Sequence, residues 1–462
     1  MITPDSAASP LLRRRIAGTC SLLSLAAAMP QRYPALLESA ADGAGARWDI
    51  LFGFPEAFIN GDDGDFLATL DAHWRGQRAV HHDRDLPFRG GWFLYLGYEL
   101  AAQIEPCLQL PKADPGVPVA LALRCPSAIL VDRRENCSWL ISEAGREDLL
   151  DQMEADLGAS TSPLPVLPAL VEIGEDPADD YLAGVARIHD YLCSGDIFQV
   201  NLSRAWRACF AAKVEPIALY AALRLANPAP FAALMQFRDC AVLSSSPERL
   251  VCVSGSTVQT RPIAGTRARF SGDDDSERRS ELAGHPKERA EHVMLIDLAR
   301  NDLGRVAMPG SVVVDELMSV ESYAHVHHIV SNVSAELRDD VTPGEVIAAV
   351  FPGGTITGCP KIRCMQIIAE LESTGRGAYT GSIGYLNRDG DMDLNILIRT
   401  LTTRADRVDF RAGAGIVVDS EATAELAETR AKARGLLNAI ASDDLRHHRD
   451  AVASNVRVDV EE

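Results

Sequence analysis

The sequence predicts an α+β fold from three observations. Apolar residues recur at helical spacing in well-separated segments, strand-like runs lie unevenly between them, and some runs are joined by turns of hairpin length such as Asn387-Arg388-Asp389-Gly390. A simple parallel array would place a helix between successive strands, and the spacing does not supply one. The 462 residues exceed the roughly 250 to 300 at which one core stops growing. Two or three lobes, or one large domain with an appendage, are therefore expected.

Taken in order, Arg13-Arg14-Arg15 ahead of Ile16 to Met29 has the layout of a secretory leader. Gly18, Thr19, Ser21 and Ser24 dilute its apolar part, so the segment reads as a first strand and helix. Residues 1–140 hold short strand-like pieces with turn signals, at Trp48 to Leu51, Asn60-Gly61-Asp62 and Gly90 to Tyr98, and form an N-terminal α+β lobe. Residues 141–178 turn polar and then Pro-rich, as a linker or crossing segment does. The region 179–445 opens with a helix over Tyr181 to Cys193, where Leu182, Val185, Ile188 and Leu192 repeat at helical spacing. Further helices are expected over 286–304, 360–373 and 420–441, and strands over Gly381 to Leu386, Asn395 to Leu401 and Val408 to Val418. Residues 446–462 read as a polar tail.

Charge and composition exclude several classes. With 45 Lys and Arg against 65 Asp and Glu the formal charge is −20, the wrong sign for tracking phosphates. At 47% hydrophobic and 24% charged residues the chain has globular composition. No apolar run reaches the roughly 18 residues of a membrane span. The ten cysteines include no C-x-x-C pair, and some lie in apolar runs such as Val251-Cys252-Val253. Reduced, buried thiols and a cytoplasmic location follow as expectations.

Two helices carry paired acids. Glu288 and Glu291 head an apolar stripe continuing through Leu295 and Leu298, and Glu425 and Glu428 repeat the spacing in a helix capped by Asp419 or Ser420, with Lys432 one turn on. If the two faces converge, four carboxylates need a cation, and a hard ion such as Mg²⁺ suits them. Acids in a first turn also suit the helix dipole, and Glu428 with Lys432 is an ordinary helical ion pair. The glycine-rich stretch Phe351 to Lys361 runs into a helix near Pro360, a junction whose N–H groups bind anions, although it lacks the Gly-Lys-Ser/Thr of a nucleotide loop. Gly413-Ala414-Gly415 lets a ligand approach main-chain donors, or is simply a turn. His325 and His327 share a strand face with the spacing of a zinc pair, while His328 points the other way as an acid, a base or a core histidine. Arg399 in Ile396-Leu397-Ile398-Arg399-Thr400 needs an anion, from a substrate or an internal acid.

Four stretches together resemble the chorismate-utilising enzymes: Arg261-Pro262-Ile263-Ala264-Gly265-Thr266-Arg267, Lys287-Glu288-Arg289-Ala290-Glu291-His292 through Asp302, the Gly353 to Lys361 loop, and Ala412 to Val417. The family includes the large subunits of anthranilate synthase and aminodeoxychorismate synthase, and the similarity runs from about residue 180 to 440. The resemblance implies a sandwich of two large, mainly antiparallel sheets flanked by helices. It implies Glu291 and Glu428 as Mg²⁺ ligands, with Glu288 and Glu425 acting through waters, and Glu248 as the general acid that protonates the departing ring hydroxyl. His328 matches the family's active-site histidine, and Thr355 lies beside the ring. Arg399, Tyr379, Lys432, Gly265 and the backbone of Gly413, Ala414 and Gly415 match groups that hold the substrate.

Gln199-Val200-Asn201-Leu202, Thr355-Ile356-Thr357-Gly358 and Leu86 to Glu99 resemble the branch that aminates chorismate at ring carbon 4. Ala264 departs from it, because many members of that branch carry a lysine there as a nucleophile, whereas enzymes aminating at carbon 2 carry alanine. Amination at carbon 4 by a direct or water-assisted route is the expectation, with amination at carbon 2 as the alternative. A non-catalytic scaffold would have lost the acid pairs, which are present. A separate glutamine amidotransferase subunit is implied as the ammonia source. Leu36 to Ala40, with Ser39, resembles the family's tryptophan-binding segment, and Asn227 to Phe231, with Pro230 and Phe231, its other wall; tryptophan would be a structural or regulatory ligand.

Overall fold

The structure is a computed structural model that describes residues 11–40, 47–81, 84–113, 116–159, 163–268, 286–322 and 326–441; the side chains of 159, 264–268, 286–288, 322 and 326–328 lie outside that description. The expected tail 446–462 and His325 lie outside the described residues.

Two sheets dominate, and every pairing between the described strands is antiparallel. The larger has twelve strands among the described residues, in the order Leu11–Ala17, Cys137–Glu143, Ser127–Asp132, Trp48–Gly53, Ala35–Glu38, Phe231–Phe237, Cys240–Ser246, Thr400–Arg404, Arg407–Ile416, Gln199–Phe210, Gly358–Cys359, with Leu170–Glu175 also pairing Gln199–Phe210. The smaller has ten, in the order Ile263–Ala268, Val326–Glu336, Thr257–Thr260, Arg249–Ser254, Met392–Asn395, Ser382–Asn387, Gly91–Leu96, Ala120–Cys125, Ala57–Asn60, with Val313–Ser322 on Val326–Glu336. This is the α+β sandwich expected from the family resemblance.

Burial explains why strands such as Gly91–Leu96 are apolar without interruption. Phe93 and Tyr95 enter a core between the sheets with Phe52, Phe88, Leu130 and Met235. Trp92, Leu94 and Leu96 point the other way, onto Phe66, Leu70 and Trp74 of the helix Phe66–Gln77. Each such side chain removed from water stabilises the fold by roughly 1.5–3 kcal/mol. A third core lies on the outer face of the larger sheet, where Trp206, Ala208 and Phe210 meet Leu219, Tyr220 and Leu223 of helix Pro216–Ala226 and Leu436 and Ile440 of helix Ala422–Ile440.

Strands from the two ends of the chain share both sheets: Ala35–Glu38 pairs Phe231–Phe237, and Gly91–Leu96 pairs Ser382–Asn387. The segment 141–178 carries the helix Glu147–Ala159 and the strand Leu170–Glu175. The strand and helix expected from Arg13 to Met29 are present as Leu11–Ala17 and Leu22–Ala28.

Two local expectations change. The run Asn395 to Leu401 is not one strand: Met392–Asn395 ends in the smaller sheet, Thr400–Arg404 begins in the larger, and Arg399 turns between them with φ +52°. Ile396 and Leu397 are apolar because the crossing is buried, with Ile396 and Leu397 in different cores. The helix Ala422–Ile440 is preceded by Glu421, whose side chain makes no cap. Ser420 instead accepts the N–H of Val417 at 3.1 Å and donates to Glu425 at 2.6 Å, so its hydroxyl ties the turn to the helix by another route.

Candidate active site

Two of the passages of the chain between the sheets run side by side, and each presents one polar group. Cys240–Ser246 in the larger sheet leads through Pro247 and Glu248 into Arg249–Ser254 in the smaller. The returning crossing 396–399 is stitched to it: the N–H of Ile396 donates to the carbonyl of Glu248 at 3.0 Å, and the N–H of Ser245 donates to the carbonyl of Arg399 at 3.1 Å. Glu248 and Arg399 are therefore placed by two adjacent, mutually bonded crossings between the sheets.

Glu248 is 5% exposed. Thr355 Oγ1 donates to its Oε1 at 2.8 Å. Burial drives its carboxyl up to about 7, against the opposing effects of the Thr355 hydroxyl, the N–H of Ile263 and the positive charge of Lys432. A carboxyl titrating there keeps a transferable proton at neutral pH. It lines a cleft with Pro262, Leu298, Asp302, Gly353 and Thr355.

The glycine-rich loop supplies Thr355. A side-chain carbon on Gly354 would lie 2.3 Å from Leu298 Cδ2, so only glycine lets the loop seat against the helix Pro286–Gly304. Lys361, at the start of helix Lys361–Leu371, donates to Asp302 at 2.6 Å and to the carbonyl of Val350 at 3.2 Å. That pair locks the loop to the neighbouring helix.

A second group of predicted residues meets on the strand Arg407–Ile416. Lys432 Nζ donates to the carbonyl of Gly413 at 3.1 Å. A side chain on Gly413 would begin 2.8 Å from both the Tyr379 hydroxyl and Asn201 Oδ1, and one on Gly415 would begin 2.3 Å from Gln199 Nε2. Tyr379 is buried, and burial pushes its hydroxyl up to about 12, so it stays a neutral donor. The Arg399 guanidinium has no hydrogen-bond or ion-pair partner among the described residues, and burial holds it below the ordinary value. The internal-acid alternative for Arg399 therefore finds no support among those residues.

Sequence reasoning missed a buried ion network behind these groups, built from Glu372, Arg376 and Arg411. No periodic signal marked it, since Glu372 ends the helix Lys361–Leu371 and Arg376 lies beyond it.

Of the four acids expected to hold a metal, three have described side chains. Glu425 accepts from Ser420, Glu428 pairs with Lys432 at 2.7 Å, and Glu291 is half-buried. The side chain of Glu288 lies outside the described residues. No three acid, histidine or cysteine side chains converge as a metal site among the described residues. The helix Pro286–Gly304 packs on the strands Ile263–Ala268 and Val326–Glu336, whereas Ala422–Ile440 packs on Arg407–Ile416 and helix Pro216–Ala226. An oxygen-only donor set has the hard chemistry that suits Mg²⁺.

The backbone of Ala264 pairs with Ile329 and that of Thr266 with His328, with a register shift at Gly265. The side chains of Ala264, His327 and His328 lie outside the described residues. The two walls expected for a tryptophan pocket are neighbours: Ala232 pairs with Glu38, and the N–H of Ala40 donates to the carbonyl of Ala229 at 3.0 Å. Ser39 is fixed by its N–H to Asp49 at 3.0 Å, Pro230 and Phe231 are half-buried, and Arg249 lies 5.1 Å over the Phe231 ring.

The sequence model describing chorismate binding enzymes matches residues 33–438. The aminodeoxychorismate synthase component 1 of Bacillus subtilis is 38% identical over 444 residues, covering 89% of this chain and 93% of the relative. The anthranilate synthase component 1 of Thermus thermophilus is 39% identical over 440 residues, covering 90% and 94%. The crystal structure of anthranilate synthase component I from Streptococcus pneumoniae superposes with a TM-score of 0.77 at 32% identity, over 86% of this chain and 93% of that one. No described helix is long and apolar enough to cross a membrane.

Proposed function

The chain belongs to the family of chorismate binding enzymes, and on that premise we propose that it is the large subunit of an aminodeoxychorismate synthase, acting in the cytoplasm. The observation that carries its chemistry is the buried Glu248 carboxyl, held by Thr355 at 2.8 Å and titrating at about 7. Ammonia from a glutamine amidotransferase subunit adds at ring carbon 4, and the ring hydroxyl departs as water with the proton of Glu248. Arg399, Tyr379, Lys432 and the Gly413 to Gly415 backbone hold the two carboxylates of chorismate. Arg399 supports this part, because a guanidinium without an acid partner among the described residues suits an anionic ligand.

Glu291 and Glu428 would hold Mg²⁺ directly and Glu288 and Glu425 through waters, and the bound ion would supply Lewis-acid polarisation of the ring carboxylate. Ser39, Pro230 and Phe231 would border a site for tryptophan.

Ala264 favours a second reading, anthranilate synthase component I, because alanine cannot serve as a covalent nucleophile. The Gln199 to Leu202 and Leu86 to Glu99 markers favour the first. Incubation with chorismate, Mg²⁺ and ammonium decides: a 4-amino product that retains the pyruvyl group supports amination at carbon 4, and fluorescent anthranilate with free pyruvate supports the second reading. Unconsumed chorismate would reject both.

A further inference from the structure

Arg376 uses its whole guanidinium on the protein. Its Nε and Nη2 donate to Glu372 at 3.0 and 2.7 Å, Nη2 also donates to the carbonyl of Asn201 at 2.8 Å, and Nη1 donates to the carbonyl of Ile356 at 3.1 Å. Its plane lies 5.0 Å from the Tyr98 ring and 5.5 Å from the Tyr379 ring. Glu372 accepts in addition from the N–H and hydroxyl of Ser203, both at 2.9 Å, and from Arg411 at 2.9 Å. Burial pushes the Glu372 carboxyl up, but the two arginines outweigh it and hold it below the ordinary value.

The partners of this network are one step from the candidate site in three directions. Ile356 follows Thr355, the donor to Glu248. Tyr379 is the ring that Arg376 covers. Arg411 precedes Gly413 by two residues on one strand. We propose that Glu372 and Arg376 are positioning residues that fix Thr355 against Glu248 and Tyr379 against Gly413, so that a single buried ion pair sets the geometry of the proton donor and of the carboxylate site together. This rests on the reading of Glu248 as the general acid. A buried pair is weak support for stability, since its desolvation offsets its attraction. Its value here lies in holding three separate segments in one register with rigid, directional donors.

The test replaces Arg376 by Lys, which keeps the charge facing Glu372 but loses the fork that reaches Asn201 and Ile356. Ser203→Ala, which removes one donor to Glu372 without changing any charge, serves if Arg376→Lys does not fold. The readout is the titration of the Glu248 carboxyl, followed by NMR with ¹³C-labelled glutamate and assigned with Glu248→Gln. Glu248 is faced by Lys432, Thr355 and the N–H of Ile263; Asp302 and Lys361 nearby are paired with each other, and Arg249 with Asp393. Lys432 is held on the carbonyl of Gly413, so a moved midpoint reports displacement of Thr355 or of the Gly413 segment, the two parts the network is proposed to place.

With the Thr355 donor displaced, the midpoint moves upward, and kcat falls by about 10- to 100-fold with a smaller change in KM, as a misplacement of about 1 Å costs. An unchanged midpoint in a folded Arg376→Lys or Ser203→Ala variant overturns the proposal. The titration needs no turnover. A wild-type protein that leaves chorismate unconsumed would reject the proposed function and leave this measurement to decide the network's role by itself.

Discussion

Thr355 Oγ1 donates to Glu248 Oε1 across 2.8 Å, and this contact joins the glycine-rich loop to the crossing between the two sheets. The hydroxyl favours the ionised carboxylate, whereas burial disfavours it and wins, leaving the group near neutrality at about 7.

Turnover that requires protonated Glu248 is full well below pH 7 and falls as pH rises through it. Thr355→Val removes the donor that favours ionisation, so the alkaline limb of the kcat profile moves to higher pH. A pH series from 5.5 to about 9 at saturating chorismate measures both; a limb that stays in place would separate Glu248 from the rate.

Replacing Glu248 by Gln gives opposite results for activity and stability. Loss of the proton donor lowers kcat by about 10²- to 10⁴-fold. The folded carboxyl binds its proton more tightly than the ordinary value of 4.5. Its contribution to stability is therefore full below that value and is lost as pH rises through about 7. Above pH 7 the variant, which has no charge to bury, is more stable than the wild type by up to about 3 kcal/mol. Urea unfolding at pH 5 and pH 8 gives the comparison.

Arg399 stands at a φ of +52° and lacks an acid partner among the described residues. A non-glycine residue in that conformation costs roughly 1–2 kcal/mol. Arg399→Gly relieves both the strain and the buried charge, so its thermal midpoint rises. Its KM for chorismate rises by about tenfold or more, as loss of a charged hydrogen bond predicts. A stable variant with unchanged KM would remove Arg399 from the substrate site.

Gly413→Ala places a methyl group 2.8 Å from the Tyr379 hydroxyl and 2.7 Å from the carbonyl of Leu202. The Leu202 carbonyl is main chain, so the two strands must part locally as well as Tyr379 moving, at a cost of about 1–3 kcal/mol in stability. Chorismate binding measured by calorimetry weakens along with it.

The proposed Mg²⁺ site predicts that chelation of divalent ions abolishes turnover and that Mg²⁺ restores it. In the wild type, Mg²⁺ at a hundred times its dissociation constant raises unfolding free energy by about 2.7 kcal/mol; in Glu291→Gln and Glu428→Gln that increment disappears. An increment that survives both substitutions places the ion elsewhere.

The helices and the apolar strands could be read from the chain itself, because each element carries its own period: Leu182, Val185 and Ile188 mark a helix face, and continuous runs such as Trp92 to Leu96 mark strands buried on both sides. The acid pairs, the glycine-rich loop and Arg399 stood out for the same local reason. The periodicity could not show that Asn395 to Leu401 leaves one sheet for the other, since a crossing through core is as apolar as a strand. Nor could it reveal that Glu372 answers both Arg376 and Arg411, because Arg411 joins the pair only through the register of distant strands. The tertiary structure alone decided that the Glu248 carboxyl is pushed up to about 7, since that depends on the water excluded around it and on Thr355, 107 positions away in the sequence.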